Sequence, residues 1–286
     1  MNKLYGLALG CLALTIAITA QQGCLAGPTI TVGQNVPATN RVPVEKIDHS
    51  GWDALLKKYV DDRGYVDYTK WKASAADQKA LDGYIAQLST AAFPANATQE
   101  DKLAFWINAY NAVTVKGILK EYPTTSIRNH TAKVYGYNIW KDLQLLVEGK
   151  AYSLEAIEHE VLRKMGEPRI HFAIVCASIG CPRLLNQAYT AEKIDEQLTL
   201  NAQAFFADRS KFVADPQSGT IQVSPILSWF AEDFGADSAA QMKSIAPYVP
   251  ASARSLATGG RARVKYLDYD WGLNDKAKAG GSGKRN

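Results

Sequence analysis

The chain has 286 residues, 47% of them hydrophobic in type and 21% charged. That is enough apolar material for a sizeable core, and charge near the globular norm excludes wholesale disorder. Thirty-two Lys and Arg against 28 Asp and Glu leave a mild +4; without a basic stripe and interleaved aromatics, nucleic acid is not expected as a partner.

Residues 1–26 read as a signal peptide. Lys3 supplies a positive start, and the run from Leu4 to Ala20 carries no charge. Ala26, with Cys24 two residues before it, makes a small-x-small cleavage site, and Ala20 is its rival. The run is at the bottom of the spanning range and no basic stop-transfer cluster follows, so membrane contact is expected only through this segment. The expected address is the bacterial periplasm or the medium. Cleavage removes Lys3, Cys11 and Cys24, leaving only Cys176 and Cys181. In an oxidising compartment that pair is expected to form a disulfide.

Residues 27–45 hold three prolines and little charge, and read as a linker or extended arm. A short helix is expected from Ser50 to Val60, then a turn at Gly64. A second helical stretch runs from Gln78 to Leu88 and ends at Phe93-Pro94. Thr98 can cap a long helix whose first turn holds Glu100 and Asp101, favourable to the dipole. From Lys102 to Tyr122 it is apolar nearly all round, which predicts a central, buried element closed by Pro123. Residues 133–152 read as strands turning at Glu148-Gly149. Ser153 caps a helix ending before Gly166. Residues 169–177, RIHFAIVCA, are apolar and rich in β-formers and predict a buried strand. Thr190 caps the next helix, to Asp208. A hairpin turns through Asp215–Gly219, Ser224-Pro225 starts the helix ILSWFAEDF, and RVKYLDYDW at 263–271 alternates as a last strand. Residues 275–286 are Gly-rich and basic and read as a disordered tail. Helices and strands without a regular βα repeat predict an α+β fold: one domain over 46–274, its long central helix packed against a mostly antiparallel sheet.

Five segments together resemble domain-of-unknown-function family 547: AFWINAYNAVTVKGIL at 104–119, YSLEAIEHEVLR at 152–163, RIHFAIVCASIGCPRL at 169–184, LSWFAEDF at 227–234 and YLDYDWGLN at 266–274. The resemblance implies a domain common in exported bacterial proteins and a likeness to papain-type or transglutaminase-type folds. Such folds place a cysteine at the start of a central helix. The central helix here offers Trp106, Asn108 and Asn111 and no cysteine, so the chain departs from that pattern at the nucleophile.

The sharpest candidate group is His171, Cys176 and Cys181, because imidazole can deprotonate a thiol and protonate a leaving group. On a strand, His171 and Cys176 would point to opposite faces about 16 Å apart and form no local dyad. Cys181 precedes Pro182 and would sit at a helix N-cap, where the dipole favours a thiolate. Asp270 could orient the histidine, as the third member of a triad does, or cap the turn before Asn274. Asn108 and Asn111 share a helix face and either pin backbone or bind a substrate amide. Glu155, Glu158, His159 and Arg163 lie on one helix, and Glu155, His159 and Arg163 form one face of it, read as solvated or salt-bridged. Arg169 could hold an anion, and Trp271 sits in the core or lines a groove. There is no phosphate-cradling glycine loop and no complete metal motif, so no metal or cofactor is expected. Two functions are weighed: a disulfide-stapled domain binding a cell-envelope peptide, glycan or protein, and a thiol hydrolase or acyltransferase with Cys181 or Cys176 as nucleophile and His171 as base.

Overall fold

The computed structural model describes residues 29–131 and 137–279. Residues 1–26, expected to be a signal peptide, and the end of the basic tail lie outside the described residues. Among the described residues, no helix is long and apolar enough to cross a membrane.

The fold is built around the helix Gln99–Glu121. Thr98 and Asp101 close its start as a capping box: the Thr98 hydroxyl accepts the Asp101 N–H at 3.1 Å, and the Asp101 carboxylate accepts the Thr98 N–H at 3.3 Å. Every residue from Leu103 to Val115 is buried, as an all-round apolar surface requires. Pro123 disfavours helical backbone at Tyr122, where the helix stops. Helices Ser50–Tyr59, Tyr68–Ala73 and Ala75–Leu88 pack beside it and bury Trp52, Trp71 and Tyr84.

The mixed α+β content expected from sequence is present, but not its single sheet. The described residues hold eight strands: β1 (Ile30–Val32), β2 (Val42–Pro43), β3 (Ala91–Ala92), β4 (Leu143–Val147), β5 (Lys150–Ser153), β6 (Phe212–Asp215), β7 (Thr220–Val223) and β8 (Arg263–Tyr266). They form three small sheets, β1-β4-β5, β2-β3 and β6-β7-β8. Only β4-β5 and β6-β7 are antiparallel; the other pairs are parallel. Both antiparallel pairs are the hairpins expected from sequence. Glu148 and Gly149 turn the first with φ of 53° and 78°, the left-handed pair that a tight hairpin needs. The proline-rich arm is fastened to the domain: β1 pairs with β4 in parallel, and Val36 and Val44 are buried. At the other end Asp275 is buried and Lys276–Ala279 form a helical turn, so the fold runs past the boundary drawn at 274.

Buried side chains divide into two apolar clusters. The larger surrounds the long helix, extends to Leu198 and takes in Leu273 near the end of the chain. The smaller gathers residues 202–257, among them Phe205, Phe206, Phe212 and Met242, around Phe172. Tyr269 packs against both. The candidate site lies on that seam, a common place for a cavity.

Candidate functional site

The site begins with an amide on the central helix. Asn111 Nδ2 donates to Ala173 O at 3.0 Å, and its Oδ1 accepts the Val175 N–H at 2.9 Å. These bonds occupy backbone groups that a strand would offer to a neighbour. Residues 169–176 are accordingly not the strand expected from their composition: Pro168–Phe172 is a 3₁₀ turn and the chain beyond it is irregular. The alternation that set His171 and Cys176 on opposite faces does not apply.

Ala177 then takes a left-handed φ of 58° and reverses the chain. The loop that follows is tied to the last segment of the fold, Ile179 N–H to Gly272 O and Gly180 N–H to Asp270 O, both at 2.8 Å. Gly180 lets Tyr269 lie over this loop, since an added Cβ would come within 2.9 Å of the ring. Cys181 returns to Cys176. Its Sγ accepts the Cys176 N–H at 3.1 Å and the Ser178 hydroxyl at 3.3 Å, and the Tyr269 hydroxyl stands 3.1 Å away. Burial raises the Cys181 thiol pKa, but hydrogen bonds from Cys176, Ser178 and Tyr269 outweigh it and hold the thiol below the ordinary cysteine value. Cys176 moves the other way, pushed up by its bond to Cys181 and by burial. Sequence reasoning assigned the thiolate to a helix N-cap, but residues 182–187 form no helix. Hydrogen bonds replace the dipole.

His171 is buried, and its ring stacks on Phe230 with centroids 4.0 Å apart. Nε2 lies 2.7 Å from Asp233 Oδ2. Arg163 grips the same carboxylate through Nε at 2.6 Å and Nη2 at 2.9 Å. Burial opposes ionisation of Asp233, yet Arg163 and His171 lower its pKa. Burial brings His171 down to about 4 in spite of Asp233, so the ring is neutral at pH 7. Facing an ionised carboxylate, Nε2 carries the proton, which leaves Nδ1 with a lone pair.

His171, Cys176 and Cys181 line one cavity of about 160 Å³, with Glu158 and a set of aromatic rings. Trp229 and Trp271 stack 5.7 Å apart, and Tyr269 lies 4.8 Å and 4.5 Å from them. Trp140, Phe230 and Tyr110 complete the walls. Glu158 comes from a π-helical stretch, Ile157–Leu162, within the helix that sequence placed after Ser153. Such wide turns recur at functional sites. Its Oε2 accepts the Tyr110 hydroxyl at 3.3 Å, and burial pushes its pKa up to about 7. Cys181 and Pro182 also line a second, polar cavity of about 700 Å³ beside Arg183, Asp208 and Asp270.

The structure thus brings Cys176, Cys181, His171 and Trp271 together and leaves the other sequence candidates elsewhere. Asp270 caps a turn by accepting the Gly272 N–H at 2.8 Å, and Asp233 stands where a triad carboxylate was sought. Asn108 is engaged like Asn111, with Nδ2 to Tyr189 O at 2.8 Å and the Tyr189 N–H to Oδ1 at 2.9 Å. Arg169 is tied to Glu167 at 2.7 Å and Asp195 at 2.7 Å, and lines none of these cavities. His159 is exposed, its Nδ1 3.1 Å from Arg163 Nη1. Asp233, Glu158, Ser178 and Tyr269 were not singled out as a site from sequence. Asp233 and Tyr269 do stand inside LSWFAEDF and YLDYDWGLN, polar groups in aromatic-rich segments, and that was the available signal. Among the described residues no three His, Cys, Asp or Glu are grouped to hold a metal ion. Cys176 and Cys181 are free thiols, adjacent but unjoined, so the disulfide expected from the exported address is not formed in this structure.

Fold and site define an α+β protein whose two cores meet at a thiol-, imidazole- and carboxyl-lined cavity. Residues 94–206 match the model of the family described as "Protein of unknown function, DUF547", the family that the motifs resemble. No curated protein and no solved structure matches the chain.

Proposed function

We propose that this protein is a thiol-dependent hydrolase or acyltransferase of the cell envelope, with Cys181 as nucleophile and His171 as base. One observation carries the reading: an acidified Cys181 sulfur and a neutral histidine oriented by Asp233 line the same cavity. The thiolate attacks an acyl carbon, an S–C bond forms, and the leaving group departs with its electron pair. Water then adds to the thioester while His171 Nδ1 takes its proton. The acid leaves and the thiolate is regenerated. Arg163 keeps Asp233 ionised, and Asp233 keeps the imidazole in the tautomer this step needs. The N-terminal apolar run supports export, which would place the substrate among envelope peptides, glycans or proteins.

Incubation with p-nitrophenyl acetate tests the reading. The expected result is an acetyl thioester on the Cys181 peptide by mass spectrometry, absent from Cys181→Ser and longer-lived in His171→Gln. Acetylation of Cys176 with Cys181 untouched, or no adduct at any pH, sinks it.

A second reading rests on the sulfurs themselves. Both face the Tyr269 hydroxyl, at 3.1 Å and 3.5 Å, and so stand near one another. An oxidant would convert the site into a stapled binding pocket without a nucleophile. Intact mass after alkylation, with and without reductant, separates the two: alkylation only after reduction favours the staple.

A further inference from the structure

The Glu158 cavity sets a carboxyl group among aromatic walls. A carboxylate offers about four acceptor positions. Glu158 receives one long hydrogen bond, from Tyr110 at 3.3 Å, and its Oε1 accepts nothing from the described residues. A thiolate at Cys181 opposes ionisation of Glu158 across the same cavity. Arg163, a nearby cation, already has its guanidinium on Asp233. A bound cation would pair with Glu158 and favour the ionised form that burial opposes.

The rings are suited to receive one. Arg128 stands 5.1 Å over Trp271, and Arg163 stands 5.5 Å over Phe230. Two members of this aromatic cluster therefore already draw positive charge to their faces. Trp229 is 49% exposed, which opens the stack to an arriving ligand. The volume bounds that ligand, because about 150 Å³ accommodates roughly a benzene-sized group.

We propose that this cavity binds an organic ammonium group of about five non-hydrogen atoms, held between the aromatic walls with Glu158 as its counter-ion. The inference deepens the proposed function by giving the substrate class, a compound bearing an ammonium group beside its acyl group. It rests on that reading for the link to catalysis, but not for the binding itself.

The test is a tryptophan-fluorescence titration of the whole chain with butylammonium chloride, tetramethylammonium chloride and the neutral alcohol 1-pentanol, one heavy atom larger than either cation. Wild-type protein is expected to bind at least one ammonium ion about tenfold more tightly than pentanol. Glu158→Gln should remove that preference while leaving pentanol binding intact. Tighter binding of butylammonium assigns a primary amine, and tighter binding of tetramethylammonium a quaternary headgroup. Equal affinity for pentanol and both cations in wild-type protein overturns the proposal without need of any variant. So does a preference that survives Glu158→Gln. Cys181→Ser should keep the preference, so failure of the thiol chemistry and failure of ammonium binding give different results.

Discussion

Tyr269→Phe isolates the origin of the acidic thiol. The substitution removes a single oxygen, the one 3.1 Å from Cys181 Sγ, and keeps the ring that packs against Trp229 and Trp271 and over Gly180. A hydrogen bond to a charged group is worth roughly 1.5–3 kcal/mol. At about 1.4 kcal/mol per pKa unit, losing it should raise the Cys181 pKa by about one to two units. The assay is the rate of iodoacetamide alkylation at Cys181 as a function of pH, with the modified peptide identified by mass. The midpoint should move to higher pH by that amount, and the rate well below the midpoint should fall about ten- to a hundredfold, since only the thiolate reacts. A midpoint that stays in place, or moves to lower pH, refutes the hydrogen-bond account. Ser178→Ala offers the matching measurement on the second hydroxyl, 3.3 Å from the same sulfur.

Three further outcomes are expected. Asp233→Asn should lengthen the lifetime of a Cys181 thioester by about a hundredfold or more, because the amide can hold His171 in the wrong tautomer; an unchanged lifetime excludes His171 as the deacylating base. His171 makes stability fall on acidification. Its folded pKa of about 4 lies below the unfolded value near 6.5, so between those limits the unfolded chain binds the extra proton, and up to about 3 kcal/mol is lost as pH drops through that window. Urea denaturation across pH should show this slope in wild-type protein, and a flatter one in His171→Gln. Asn111→Ala should cost about 3 kcal/mol in the same assay, because it leaves Ala173 O and the Val175 N–H buried and unpaired. A loss below about 1 kcal/mol would mean that other groups satisfy them.

The long buried helix was legible because its evidence is local: a capping box, an all-round apolar surface and a terminating proline within 26 consecutive residues, 98–123. The hairpins were legible for the same reason. The candidate site was half legible. Its thiols and histidine stand in one short segment, but the conformation of that segment is decided by Asn111, more than 60 residues upstream. No periodicity in RIHFAIVCA reports that an amide from a helix will take its backbone groups, so β-forming composition misled. The same holds for the carboxylate. Asp270 and Asp233 are equivalent choices by residue type, and only the packing of the second apolar cluster, which brings Phe230 onto the imidazole, separates them.

The seam between the two clusters also sets a timetable. The thiols, His171, Glu158 and Arg163 all precede residue 206, but Tyr269 follows Cys181 by 88 residues and Asp233 follows His171 by 62. During synthesis and folding, Cys181 lacks its Tyr269 partner and His171 its Asp233 partner until almost the whole chain has docked. A truncated or half-folded copy therefore lacks contacts that the proposed reaction uses. On that proposal, reactivity is the last property to mature, and it certifies that the fold beneath it is complete.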